Sequence, residues 1–141
     1  MAEVRFHGSS SLDWQRLGDL YPPEMRADLS EAHAESAICT HEPGLDGSLH
    51  LQEYKWLPGA EASLHAHDEP EIIYVLEGSL KVGNRTLDPG SSVFIGAETL
   101  YAFKAGDEGC RLLIFMATGI YKYFTKDSLK RQAELRTEAA E

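Results

Sequence analysis

The stretch GAEASLHAHDEPEIIYVLEG, residues 59–78, holds the side chains of this chain best suited to do chemistry. His65 and His67 stand one residue apart, Asp68, Glu69 and Pro70 supply a turn, and Glu71 opens an apolar run. A histidine pair of this kind can be surface decoration, a pH-sensitive patch or two ligands of one ion. On a strand, residues i and i+2 share a face with Cα atoms roughly 6.6–6.8 Å apart, so both imidazoles can converge on one point. Glu71, opening the next strand, can return a carboxylate to the same point. Two neutral imidazoles and a carboxylate form a facial triad that leaves coordination positions open. That donor set suits Fe(II) and also accepts Mn, Ni or Zn, while the thiolates that would select Cu(I) or an iron–sulfur cluster are missing from this stretch.

Positioning these groups falls to a series of short elements. From about residue 36 the chain alternates apolar runs, SAICT, SLHLQEYKWL, EIIYVLEG, SLKV, RTL, SSVFI, TLYAFKA and RLLIFMAT, with the turn clusters PGLDG, LPGAE, HDEP, LDPG and KAGDEG. Gly83 and Asn84 between two such runs read as a two-residue hairpin. Many short strands without helical periods between them predict an all-β antiparallel sandwich or barrel. Residues 1–35, broken by YPPEM, are expected to be an arm with one or two short helical turns. Residues 36–120 are expected to form the β domain and 121–141 a tail, helical from about 126 with Asp127 or Ser128 as its cap.

Period-2 alternation in EIIYVLE puts Glu71, Ile73 and Val75 on one face and Ile72, Tyr74 and Leu76 on the other. Both faces are largely apolar, so the outer one needs a cover, and a second copy of the chain is the expected partner. In SLHLQEYKW, His50 shares a face with Gln52, Tyr54 and Trp56, which can line a cavity beside the histidine pair. His7, His33 and His41 sit among polar residues and are expected to be solvated. Glu98 is a candidate for supporting the site from outside it. Ile73, Val75, Phe103 and Ile114 read as core or cavity wall.

Thirteen basic against twenty-three acidic residues among 141 give a net charge of −10. That balance repels phosphate backbones and anionic membrane surfaces, so neither nucleic acid nor membrane is an expected partner. The N-terminal stretch lacks an apolar leader core and no segment approaches a membrane span, which points to a cytoplasmic protein. Cys39 and Cys110 lie far apart, with no C-x-x-C, and read as buried thiols.

Gly59, His65, His67, Glu71 and Gly78 satisfy every position of G-x5-H-x-H-x3-E-x6-G, and in this the chain resembles the cupin superfamily. The resemblance implies a jelly-roll barrel, a double-stranded β-helix, with a metal held inside by His65, His67 and Glu71. The second cupin motif, G-x5-P-x-G-x2-H-x3-N, survives only at Gly90. Gly96 replaces its proline, Glu98 its glycine, Tyr101 its histidine ligand and Ala105 its asparagine. Tyr101 could ligate as a phenolate, hydrogen-bond a substrate or metal-bound water as a neutral phenol, or pack in the barrel; for a divalent metal the neutral catalytic role is favoured.

The leading functional expectation is a dioxygenase that holds Fe(II) and a small bidentate oxygen ligand such as a diketone. An isomerase or lyase using Zn, Ni or Mn as Lewis acid is the alternative enzyme. A small-molecule binding or sensing module is the non-catalytic one, and the fold leaves all of these open.

Overall fold

The computed structural model describes residues 3–26 and 29–140, so residues 1–2, 27–28 and 141 of the expected arm and tail lie outside it. Among the described residues nine strands follow one another as β1 (Gln15–Arg16), β2 (Ala37–Glu42), β3 (His50–Trp56), β4 (Glu61–His67), β5 (Glu71–Val82), β6 (Arg85–Leu87), β7 (Ser92–Ile95), β8 (Tyr101–Met116) and β9 (Tyr123–Thr125). The helices are α1 (Pro23–Arg26), α2 (Glu31–Glu35) and α3 (Lys126–Ala140). All strand pairs are antiparallel. The order β1-β2-β3-β8-β4-β9 curls around, and β5 joins β8 while also pairing with β6 and β7. This is an all-β jelly-roll barrel with an N-terminal arm and a C-terminal helix. Among the described residues no helix is long and apolar enough to cross a membrane.

Two strands carry the architecture. β8 pairs with β3 and β5 along its second half and with β4 and β5 along its first. The runs EIIYVLEG and SLKV are therefore one strand, and TLYAFKA and RLLIFMAT are another that passes straight through GDEG. Gly78 does not end its element but bends it. Its φ is +74°, and a Cβ there would lie 2.1 Å from the carbonyl oxygen of Gly109. Gly109, with φ +80°, would meet the carbonyl of Trp56 at 2.6 Å. Only glycine tolerates both the left-handed backbone and the approach of another main chain. The β5–β8 register slips beside Gly78, as a bulge requires.

Inside the barrel, Ile73, Val75, Leu80 and Leu112 are at most 2% exposed. Each such side chain contributes about 1.5–3 kcal/mol relative to leaving it in water. The alternation expected for EIIYVLE holds, with Glu71, Ile73 and Val75 inward and Ile72 and Tyr74 outward. On the outer face Ile72 stands opposite Phe94 on one side and Phe115 on the other, and these three are 44%, 68% and 42% exposed.

The arm and the tail hold more than expected. β1 adds to the sheet edge through Gln15 opposite Ile38. Arg5 and His7 both bind the Glu42 carboxylate, and Lys55 lies 4.0 Å from the centre of the Trp14 ring. α2 is capped by Ser30, whose side chain accepts from the His33 amide. In the tail, β9 pairs with β4 before α3 begins. The cap of α3 is neither Asp127 nor Ser128 but Thr125: Ser128 N–H donates to Thr125 Oγ1 at 3.1 Å, and Thr125 N–H donates to Ser128 Oγ at 2.7 Å. This reciprocal pair is a capping box with serine in the third position.

Candidate metal centre and cavity

β4 delivers both histidines to one face because they are two residues apart. His65 pairs with Tyr101 of β8 and Thr125 of β9, and His67 with Tyr123. The two imidazole centroids are 5.2 Å apart. His65 Nδ1 lies 2.7 Å from the Ser63 carbonyl, and His67 Nδ1 lies 3.1 Å from the Lys122 carbonyl. A carbonyl only accepts, so each Nδ1 carries a proton and, in the neutral ring, each Nε2 keeps its lone pair. Burial lowers the pKa of both rings, which favours that neutral state. The Lys122 carbonyl is itself held in place, since Asp68 Oδ1 accepts the Lys122 amide at 2.6 Å.

Glu71 opens β5 on the inner face, 6% exposed. Burial pushes its carboxyl up to about 7, with no cation or donor to offset the desolvation. His65, His67 and Glu71 all line one cavity of about 160 Å³. Among the described residues, no three His, Cys, Asp or Glu side chains are gathered tightly enough to hold an ion as they stand. The chemistry of the donors nonetheless fits a divalent metal: two anchored imidazoles with free Nε2 atoms, and a buried carboxylate with no cation beside it.

The rest of the cavity is aromatic. Gln52, Tyr54 and Trp56 line it, as the alternation of β3 predicted. His50, on the same face, does not: it is buried with Nδ1 3.0 Å from the Pro43 carbonyl and its ring against Tyr121. Tyr101 is half-buried and borders a second, much smaller cavity of about 10 Å³, which also touches His65, His67 and Glu71. Glu98, with φ +59°, pairs its side chain with Arg136 of α3, and its amide donates to the His67 carbonyl at 2.6 Å. Ile73, Phe103 and Ile114 form apolar wall.

Several contributors escape the sequence reading. Tyr123 stacks on His65 at 5.0 Å and 11°, and Tyr121 meets His67 edge-on at 5.0 Å. The alternation in IYKYFT was the available signal for a strand there. His33, expected in solvent, is instead buried and lines the cavity, because α2 docks against the barrel with His33 Nδ1 on the Glu61 carbonyl. His7 is exposed, as expected, and pairs with Glu42, while His41 is partly buried and pairs with Glu53. Burial raises the pKa of Tyr21, Tyr54, Tyr121 and Tyr123, so the phenols stay protonated at neutral pH. Among the residues lining this cavity there is no lysine or arginine.

A curled antiparallel barrel with two histidines and a glutamate facing an inner cavity defines a cupin. The Cupin domain family matches residues 52–116, so this stretch is a cupin domain, and the barrel as a whole has the cupin fold. No curated protein sequence matches it significantly. Among solved structures it is similar to the polyketide cyclase RemF from Streptomyces resistomycificus, at 17% identity over 93% of this chain and 94% of that one, with a TM-score of 0.69. A sugar phosphate isomerase from Silicibacter pomeroyi matches at 20% identity over 86% and 82%, TM-score 0.67. An oxalate oxidase matches at 18% identity over 64% and 55%, TM-score 0.53. At these identities the likeness is one of fold.

Proposed function

We propose that this cupin is a metal-dependent enzyme acting on a small, uncharged, oxygen-bearing ring compound, with His65, His67 and Glu71 holding the ion. The observation that carries the proposal is the anchoring of both imidazoles through Nδ1 to backbone carbonyls, which leaves two Nε2 lone pairs facing one cavity with a buried carboxylate. When bound, a divalent ion such as Fe(II), Zn, Ni or Mn supplies a Lewis acid that polarises a carbonyl or enol oxygen.

The chain's own groups do the rest. Neutral phenols of Tyr121 and Tyr123 can donate to developing negative charge on a substrate oxygen. The Tyr54 hydroxyl already donates to Gln52 Oε1 at 2.9 Å, which fixes its ring. Tyr101, which borders the smaller cavity beside the same two histidines, is assigned as a proton donor at its hydroxyl. Ile73, Phe103 and Ile114 exclude water. A volume of about 160 Å³ is close to the roughly 150 Å³ that accepts a benzene ring, so one six-membered ring with its oxygens is the size that fits. The lack of a cation in the lining argues against a phosphorylated substrate.

Proton transfer within one substrate uses this ring of phenols directly, and the similar structures include proteins named cyclase and isomerase. A dioxygenase is the second reading, favoured by a three-donor set that leaves room for both substrate and O₂. We also assign the protein to the cytoplasm, in keeping with its two buried free thiols.

Elemental analysis of untagged protein, followed by reconstitution, tests the centre. His65→Ala and His67→Ala are expected to lose the metal that the parent retains; unchanged metal content in both variants rejects the site. Substrate-dependent O₂ consumption by the iron form would select the oxygenase, and turnover of a cyclic hydroxyketone without O₂ uptake the proton-transfer enzyme.

A further inference from the structure

Among the described residues Glu98 is the one non-glycine residue with a left-handed backbone, at φ +59°. It stands where the second cupin motif has glycine, and the angle explains that preference, because an L side chain is strained there. The partner of this strained side chain lies far along the chain, on α3. Arg136 Nη1 donates to Glu98 Oε2 at 2.9 Å, and Arg136 Nη2 donates to Glu98 Oε1. A guanidinium bound to both carboxylate oxygens fixes direction as well as distance. The same bonds hold the Glu98 carboxyl below its ordinary range.

The Glu98 side chain lines neither cavity. Its main chain is what reaches the site, since the Glu98 amide donates to the His67 carbonyl at 2.6 Å. The loop that carries Glu98 joins β7 to β8 and runs on into Tyr101, which stands opposite His65. The His67 ring is held separately, through Nδ1 on the Lys122 carbonyl. Lys122 immediately precedes β9, which pairs Thr125 with His65 and leads into α3. Both supports of His67 thus run to the C-terminal tail, one at the start of α3 and the other near its end.

We propose that α3 belongs to the support of the metal centre. Glu98 and Arg136 are a positioning pair that holds the loop amide on His67, so docking of α3 and occupation of the centre stabilise each other. This rests on the reading of His65, His67 and Glu71 as metal ligands. It gives a function to a helix that has no buried residue of its own. A coupling of this kind is reciprocal, so it appears both in the metal affinity and in the order of the helix.

Zn(II) affinity, measured by competition with a chromophoric chelator, is compared in the parent, Glu98→Gly and Arg136→Ala. Each variant is expected to bind Zn(II) about two- to fivefold more weakly, the size of a well-formed exposed pair. The double variant is expected to bind no more weakly than either single one, because the two side chains act as a unit. Glycine accepts the left-handed backbone and alanine favours the helix, so both proteins are expected to keep a Tm within a few degrees of the parent. Exchanging the charges, Glu98→Arg with Arg136→Glu, is expected to restore the affinity, which a merely structural role of either residue would not. In the reverse direction, Zn(II) is expected to slow hydrogen exchange of the α3 amides in the parent and to leave it unchanged in Arg136→Ala. Parental affinity in both single variants, or α3 exchange in the parent that ignores Zn(II), overturns the coupling and leaves the centre standing. A parent that takes up no Zn(II) on reconstitution rejects the centre itself, and the coupling with it.

Discussion

Asp68 shows how a residue that touches no ligand can matter to a site. Its carboxylate accepts the Lys122 amide, and the Lys122 carbonyl in turn receives His67 Nδ1. Such supports typically contribute 10–100-fold in metal affinity. Asp68→Ala is therefore expected to weaken metal binding by about that factor, read by chelator competition, with its Tm within a few degrees of the parent. At this scale much was legible in the sequence. The spacing of His65, His67 and Glu71 and the alternation of Gln52, Tyr54 and Trp56 are local patterns, and local patterns determine which face a side chain occupies. Burial of His33 was not legible, because it arises when α2 docks on a barrel that the sequence near residue 33 does not describe. Tyr121 and Tyr123 were missed for a related reason: Tyr123 belongs to a strand of three residues that exists by pairing with β4, and Tyr121 lies in the irregular segment just before it.

Among the elements, the arm and α3 are held by identifiable polar ties. Arg5 and then His7 hold the Glu42 carboxyl down at about 2. A carboxylate with a depressed pKa supports the docked state above its ordinary pKa of about 4.5 and loses that support as pH falls through about 2. Amide resonances of residues 3–8 are expected to move toward random-coil positions across that window. In Glu42→Gln the same resonances should start displaced at pH 7 and show no transition. The group is exposed, so global stability changes little. At the other end, Thr125→Ala breaks the capping box and is expected to cost about 1 kcal/mol, seen as reduced helicity and a lower Tm. Gly78 illustrates what an element reading from sequence could not separate: a glycine that stops a strand and one that bends it look alike until the opposing Gly109 carbonyl is in view.

For the whole molecule, the exposed outer face is the feature with the largest consequence for assembly. Ile72, Phe94 and Phe115 stand in cross-strand register and remain in solvent in the single chain. We take this face as the homodimer contact expected from the alternation of EIIYVLE. Light scattering after gel filtration is expected to give twice the chain mass for the parent and one chain mass for Phe94→Lys with Phe115→Lys; a monomeric parent removes the assignment. The barrel itself was legible as a strand series, while its closure by two long bent strands was not, since pairing partners far apart in sequence, such as Glu71 and Met116, leave no local mark. That closure also governs the order of events in time. β5 and β4 have their long partner in β8, and the histidine face is completed only by β9, so the first seventy residues cannot build the site alone. Non-local pairing of this sort folds slowly, since the loop entropy is lost before the contacts reward it. During synthesis, His65 and His67 therefore emerge well before the segment that anchors them, and metal capture is an event of the finished chain.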